Sequence, residues 1–289
     1  MSPPNARPSA SEIARARLLF APARALFSPI FHDLHKAPSS GPRLFVGNHT
    51  MSGALDVPHL FWELHDQHDI WLRALGDHAH FNVPLWGQLL TRWGVVDGTR
   101  DNCARLLDAG EAVLVFPGGA REVVKRRGEA YELIWKQRTG FARMAIAHGA
   151  TVVPFAALGG DDAWDIVMDT EEVLDTPAGE VIRRMCASVG LGKDTVPPLL
   201  RGFAGTPLPK PVRLYFSVGD PIPSTPWAGK ADDEAACWAL RGRAKRSIQQ
   251  QLTALRRIRE ADPHATFARR ATRGVLDRFG HLLVPAHKR

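Results

Sequence analysis

A histidine placed directly after a buried strand, with a carboxylate a short way on, is the raw material of a general base. His49 follows the apolar run Leu44-Phe45-Val46 and Gly47-Asn48, and Asp56 lies seven positions later. An aspartate bonded to one ring nitrogen fixes the tautomer and leaves the other nitrogen to take a proton. On an unbroken helix seven residues are two turns, roughly 10 Å along the axis, so direct contact fails there. Contact requires a loop or bulge, and Ser52-Gly53 is the place for it. Taken alone, a His and an Asp this close are more often surface or capping residues.

Two further stretches carry chemistry beside that pair. Phe116-Pro117-Gly118-Gly119-Ala120-Arg121-Glu122 ends another apolar run. Glycines after a strand let backbone approach a ligand and expose N–H groups. Arg121 can hold a phosphate or carboxylate by two hydrogen bonds. Taken alone, this is an ordinary turn with a surface arginine. Val152-Val153-Pro154-Phe155 is a strand containing a proline, which predicts a sheet edge or a strand end.

Together, and in this order, these stretches resemble a family. FVGNHTMSGALD is similar to the histidine–aspartate block of the glycerolipid (lysophospholipid) acyltransferase superfamily, whose usual form is Asn-His, four residues, Asp. Trp93-Gly94 to Arg100, with Asn102 following, resembles its second block. FPGGARE stands where the family has Phe-Pro-Glu-Gly-Thr-Arg, VVPF resembles the later Val-Pro block, and VRLYFSVGDPI the closing strand. The likeness covers residues 40–222 and departs in two places. Six residues, not four, separate His49 from Asp56, and Gly118 replaces the common glutamate. The Pro-Gly-Gly form with a following Glu is similar to the diacylglycerol-acyltransferase-like and phytyl-ester-synthase-like branch. That favours a neutral alcohol or diacylglycerol acceptor.

The resemblance implies an O-acyltransferase that moves a fatty acyl group from acyl-CoA, or from acyl carrier protein, to the hydroxyl of a glycerolipid or long-chain alcohol. His49 and Asp56 would be catalytic. Asn48, Arg100, Gly118, Gly119, Arg121 and Glu122 would bind substrate, and backbone N–H groups near Gly118-Gly119 would hold the oxyanion. No cofactor and no metal are implied. His32-x-x-His35, His65-x-x-His68 and His78-x-His80 have ligand-like spacing, but there is no HExxH and no cysteine cluster. The rivals are a lipid or ester hydrolase, which would want a Gly-x-Ser-x-Gly elbow that is absent, and a basic nucleic-acid- or membrane-binding protein without this activity. No nucleic-acid module is recognisable.

The elements that must position these residues follow from periodicity. Residues 43–47, 112–116, 151–155 and 212–218 read as buried strands, and helical sequence follows Asp56 and covers 101–110, 138–148, 178–189 and 232–260. Strands alternating with helices predict an α/β domain with a largely parallel central sheet flanked by helices. Residues 160–210 read as irregular outside that helical stretch. The organisation expected is a disordered start over 1–10, an amphipathic helix over 11–36, an acyltransferase domain over 37–225, and a basic helical extension over 226–289 packed on the same domain. Ser11-Glu12 reads as the first helix's start, and Pro22 must kink or split it. That helix either lies in a membrane interface or packs on the domain.

Charge is segregated. Residues 1–49 carry +4, residues 50–240 carry −7 and residues 241–289 carry +10, out of +7 overall. Basic ends favour an anionic partner. A membrane lipid surface is the partner expected, reached through residues 12–31 and through Arg269, Arg270, Arg273 and Arg278 among Phe267, Val275, Leu276 and Phe279. Three scattered cysteines fit a reducing compartment, and no window of about 18 apolar residues offers a membrane span. The expected location is cytoplasmic and peripheral to the membrane.

Overall fold

The computed structural model describes residues 7–270, apart from positions 52, 54, 84, 189, 191, 193 and 194. A seven-stranded sheet runs through it. Its strands are β1 (Ile30–His32), β2 (Arg43–Gly47), β3 (Leu72–Gly76), β4 (Val96–Asp97), β5 (Ala112–Val115), β6 (Thr151–Leu158) and, at the closing strand, Tyr215–Val218. A separate two-stranded hairpin pairs β7 (Asp165–Met168) with β8 (Leu199–Arg201), so the closing strand is β9. The order is β1-β9-β6-β2-β5-β3-β4, and only the β6–β9 pairing is antiparallel.

The central strands are short apolar runs because both of their faces are covered. Side chains alternate across the sheet. On β2, Leu44 and Val46 enter one core and Phe45 the other. The first core is closed by α4 (Arg100–Asp108), α6 (Gly140–Ala147) and α9 (Glu234–Ala261), the second by α2 (Asp56–His68). The basic helix expected near the C-terminus is α9. Ala236, Cys237, Leu240, Ala244, Ile248, Leu252 and Leu255 line its buried stripe, and Asp233 caps its start. The basic-tail residues Arg273, Val275, Leu276, Arg278 and Phe279 lie outside the described residues.

Three expectations change. Pro154 is not at an edge, because β6 lies between β2 and β9. Its carbonyl accepts from Gly219 N–H at 2.8 Å, on the side where the β9 ladder ends at Val218. The missing proline N–H thus falls at a ladder end, where it costs little. The first helix, α1 (Ala10–Phe27), runs unbroken through Pro22. It starts at Ser9, whose side chain and Glu12 form a reciprocal cap. Residues 160–210, read as mostly irregular, hold the β7–β8 hairpin, α7 (Thr170–Leu174) and α8 (Gly179–Ser188).

Helix α1 packs on the domain and also carries an outward apolar edge. One side is tied to α2 by Arg17–Asp66 and by Arg24–Glu63, the latter at 2.6 Å, and Phe20 lies against His59. Its start is tied by Glu12–Arg92 to α3 (Trp86–Arg92). Leu18 and Leu19 nevertheless point away, 75% and 82% exposed. The helix packs on the domain through these polar pairs and through Phe27, buried in the second core, and turns leucines outward. No helix among the described residues is long and apolar enough to cross a membrane.

Candidate active site

The parallel strands deliver their C-terminal loops to one end of the sheet, where open α/β sheets bind ligands. The loop after β2 carries His49. Gly53 has φ +66° and its N–H closes a turn on Thr50 O at 3.0 Å, so the chain doubles back before α2 begins at Asp56. That turn absorbs the long spacing: His49 Nδ1 lies 3.0 Å from Asp56 Oδ2. The same carboxylate accepts from Thr50 N–H at 2.8 Å and from Val57 N–H at 2.8 Å. Asp56 is buried, and its three contacts fix the imidazole, whose Nε2 has no hydrogen-bond partner among the described residues. A Cβ on Gly53 would stand 2.6 Å from His49 Cε1 and 2.9 Å from Nε2. Glycine therefore keeps that edge of the ring clear. The imidazole stacks on Phe116 at 3.7 Å between centroids.

Phe116 is also a wall of a cavity of about 200 Å³ near the ends of β5 and β3. Leu44, Leu75, Val115, Phe141 and Met144 make it apolar, and Cys103 lies within it. Burial pushes the Cys103 thiol up to about 11, so it stays protonated at neutral pH and is no nucleophile. The cations lining the cavity are Arg100, at the start of α4, and Arg138. Thr99 caps α4 there by accepting from Asn102 N–H at 3.2 Å. A helix start and two guanidiniums suit an anion.

The other residues singled out by sequence face inward. Asn48 is fully buried and exchanges two 2.9 Å hydrogen bonds with the Ala157 backbone, pinning the His49 loop to β6. Arg121, on α5 (Ala120–Val123), donates to Val124 O at 2.9 Å and pairs with Glu129 at 2.6 Å. It is not among the residues that line the cavity. Glu122 is fully buried. Gly119 N–H closes a turn on Phe116 O at 2.9 Å and is not free for an oxyanion.

Arg138 is the cation that motif reading misses. It donates to Pro117 O at 3.2 Å and Gly118 O at 3.0 Å, holding the proline-glycine-glycine loop. No carboxylate pairs with it among the described residues. Its own carbonyl is held by Arg241 of α9 at 2.9 Å, so a helix a hundred residues away sets its position.

Comparison with known proteins decides the family. An acyltransferase family model matches residues 28–157. Phytyl ester synthase 1, chloroplastic, of Arabidopsis thaliana is 30% identical over 88% of this chain and 37% of its own length. The chain belongs to the glycerolipid acyltransferase superfamily. The human DGAT1/2-independent enzyme synthesizing storage lipids is 27% identical over 68% of this chain and 54% of its own. Among solved structures, the LPA acyltransferase PlsC of Thermotoga maritima matches 82% of each chain at 12% identity with a TM-score of 0.42. The chain thus spans between about a third and a half of the length of the plant and human relatives named. Within the family's motifs, His49 meets Asp56 of its own block and Phe116 of the FPGGARE stretch.

Proposed function

We propose that the chain transfers a fatty acyl group from a thioester, acyl-CoA or acyl carrier protein, to the hydroxyl of a glycerolipid or long-chain alcohol, with His49 as general base. The observation that carries this is the His49–Asp56 contact with Nε2 left free, beside an apolar cavity edged by arginines. In this reading the acceptor O–H gives its proton to Nε2 while its oxygen attacks the thioester carbonyl. The tetrahedral intermediate collapses with rupture of the C–S bond, and the imidazolium returns the proton to the leaving thiolate. Asp56 stabilises the imidazolium between those steps. The names of the phytyl ester synthase and storage-lipid relatives support a neutral acceptor. The test is transfer of labelled acyl groups from acyl-CoA and from acyl carrier protein to lysophosphatidate, lysophospholipids, mono- and diacylglycerol and long-chain alcohols. Absence of transfer to every acceptor from both donors overturns the reading.

Arg100 and Arg138 are then the groups that meet phosphate, and the donor's carrier is where a neutral acceptor leaves phosphate to be found. Losing a hydrogen bond to a charged group costs about 1.5–3 kcal/mol, roughly ten- to a hundred-fold in affinity. Arg138→Gln should raise the KM for acyl-CoA by that factor and leave the KM for an alcohol acceptor near its starting value. Arg121→Lys should leave the acyl-CoA KM unchanged. The reverse pattern would return the anion to Arg121.

A lipid acceptor barely leaves its bilayer, so the site must reach a membrane surface. We place attachment at the outward leucines of α1, Leu18 and Leu19, together with Leu85, Trp86 and Leu89, which are 77%, 44% and 50% exposed at α3. The Arg92–Glu12 pair links these two helices. Flotation with anionic vesicles should show binding that persists in high salt, because only its electrostatic part is screened. A Leu18→Glu/Leu19→Glu variant should lose the salt-resistant part. Unchanged flotation would make those leucines plain surface.

A further inference from the structure

The buried surroundings of His49 hold a second carboxylate that the transfer chemistry above does not use. Glu122 is fully buried, and neither of its carboxylate oxygens closes a hydrogen bond among the described residues. Backbone N–H groups of His49 and Gly118 approach it closely enough to lower its pKa, but not in the geometry of a formed bond. Its position relative to Gly118 is specific. A Cβ built on Gly118 would lie 2.2 Å from Glu122 Oε2 and 2.5 Å from Glu122 Cβ. The Glu122 side chain occupies the room that a side chain at 118 would need. The backbone at 118 is not left-handed, so it is this occupancy, and not strain, that demands glycine there.

We propose that Glu122 is a positioning residue for His49, its carboxylate standing where residue 118 has no side chain and coupling the proline-glycine-glycine loop to the histidine loop. The charges around it set its protonation. Lys125 and His49 act on it directly. Lys125 Nζ lies 3.6 Å from Asp161, both groups are fully buried, and Asp161 in turn feels Asp56. One ammonium thus faces two carboxylates. Asp161 accepts from Met51 N–H and Tyr131 N–H, each at 2.6 Å, and has the stronger hold on negative charge. Glu122 has no such bonds, and burial pushes it up to about 7. Its proton is therefore exchanged near neutral pH, in the range where an imidazole titrates. Loss of that proton places a negative charge beside His49, and a nearby anion favours the imidazolium.

The inference rests on His49 as the base only for its kinetic consequence, so one readout is independent of activity. The His49 imidazole is titrated by NMR in protein labelled at histidine Cε1, its signal assigned with His49→Ala. In Glu122→Gln the His49 midpoint should fall by about one pH unit, and an unchanged or raised midpoint overturns the proposal. In the assay, Glu122→Gln should lower kcat more than it alters KM and move the acid limb of the pH profile downward. Glu122→Gly should lose on the order of 10–100-fold in kcat, the scale expected when a reacting group is misplaced. Gly118→Glu added to Glu122→Gly should recover most of that loss, because the three Glu122 atoms that oppose a side chain at 118 are then gone. A double variant as slow as Glu122→Gly alone overturns the shared placement. Should His49→Ala keep full acyl transfer, the base assignment fails while the imidazole titration still decides whether Glu122 acts on His49.

Discussion

A His49→Ala variant should keep its fold and lose about 10²–10⁴ of its acyl-transfer rate, the usual contribution of a positioned general base. The fold should survive because the imidazole contributes little to either core. It is partly exposed and stacks on Phe116 above the sheet. The rate should fall because no neighbour can replace it. Cys103 is held protonated by burial, and Asp56 is only 2% exposed. Asp56→Asn tests the second half of the pair. The amide's single oxygen can accept from Thr50 or from Val57 but not from both, since these bond opposite oxygens of the carboxylate; it cannot stabilise an imidazolium and can hold the ring in the wrong tautomer. Its kcat should fall nearly as far, with KM little altered. Near-normal transfer by a His49→Ala protein that melts like the wild type would sink the base assignment.

How much of this site could be read in advance depends on whether its contacts are local. The strands at 43–47 and 112–115 are legible because burial on both faces writes them as unbroken apolar runs. The histidine loop is legible because Gly53, Asp56 and His49 are neighbours in sequence, and a glycine is what the doubled-back turn requires. β3 is not legible. Its Arg73 interrupts the run, and only the structure shows that guanidinium donating to Gly94 O at 3.2 Å. Arg121 shows the reverse. A guanidinium in a motif promises an external anion, and the fold gives it Glu129, eight residues on, as an internal partner that the motif does not announce. Arg138 carries no motif at all. Its position depends on Arg241 and on carbonyls about twenty residues back, and single-sequence patterns do not encode pairings of that range.

Lys125→Met should be the most destabilising single change near the site. Removing one partner of a buried ion pair leaves the other charge uncompensated and typically costs about 3–5 kcal/mol, a fall in Tm on the order of 10 °C for a chain of this size. Asp161 is the charge left behind, and burial already raises its pKa against the pull of Lys125. Without that ammonium it rises further. A carboxyl whose folded pKa is raised gives its full stability below its unfolded value, ordinarily 3.8, and loses it as pH climbs through the folded value. The deficit of Lys125→Met against wild type should therefore be small near pH 4 and grow toward pH 8, measured by denaturant unfolding across that range. Asp161→Asn, added to Lys125→Met, should recover much of the loss at pH 8, since the amide oxygen can still accept from a backbone donor without carrying charge. Activity should follow stability only in part. Asp161 holds Met51 N–H, inside the turn that joins His49 to Asp56, so a weakened hold there reaches the base even at temperatures where the fold persists. A deficit under about 1 kcal/mol, the same at every pH, would mean that this pair carries no charge that the fold depends on.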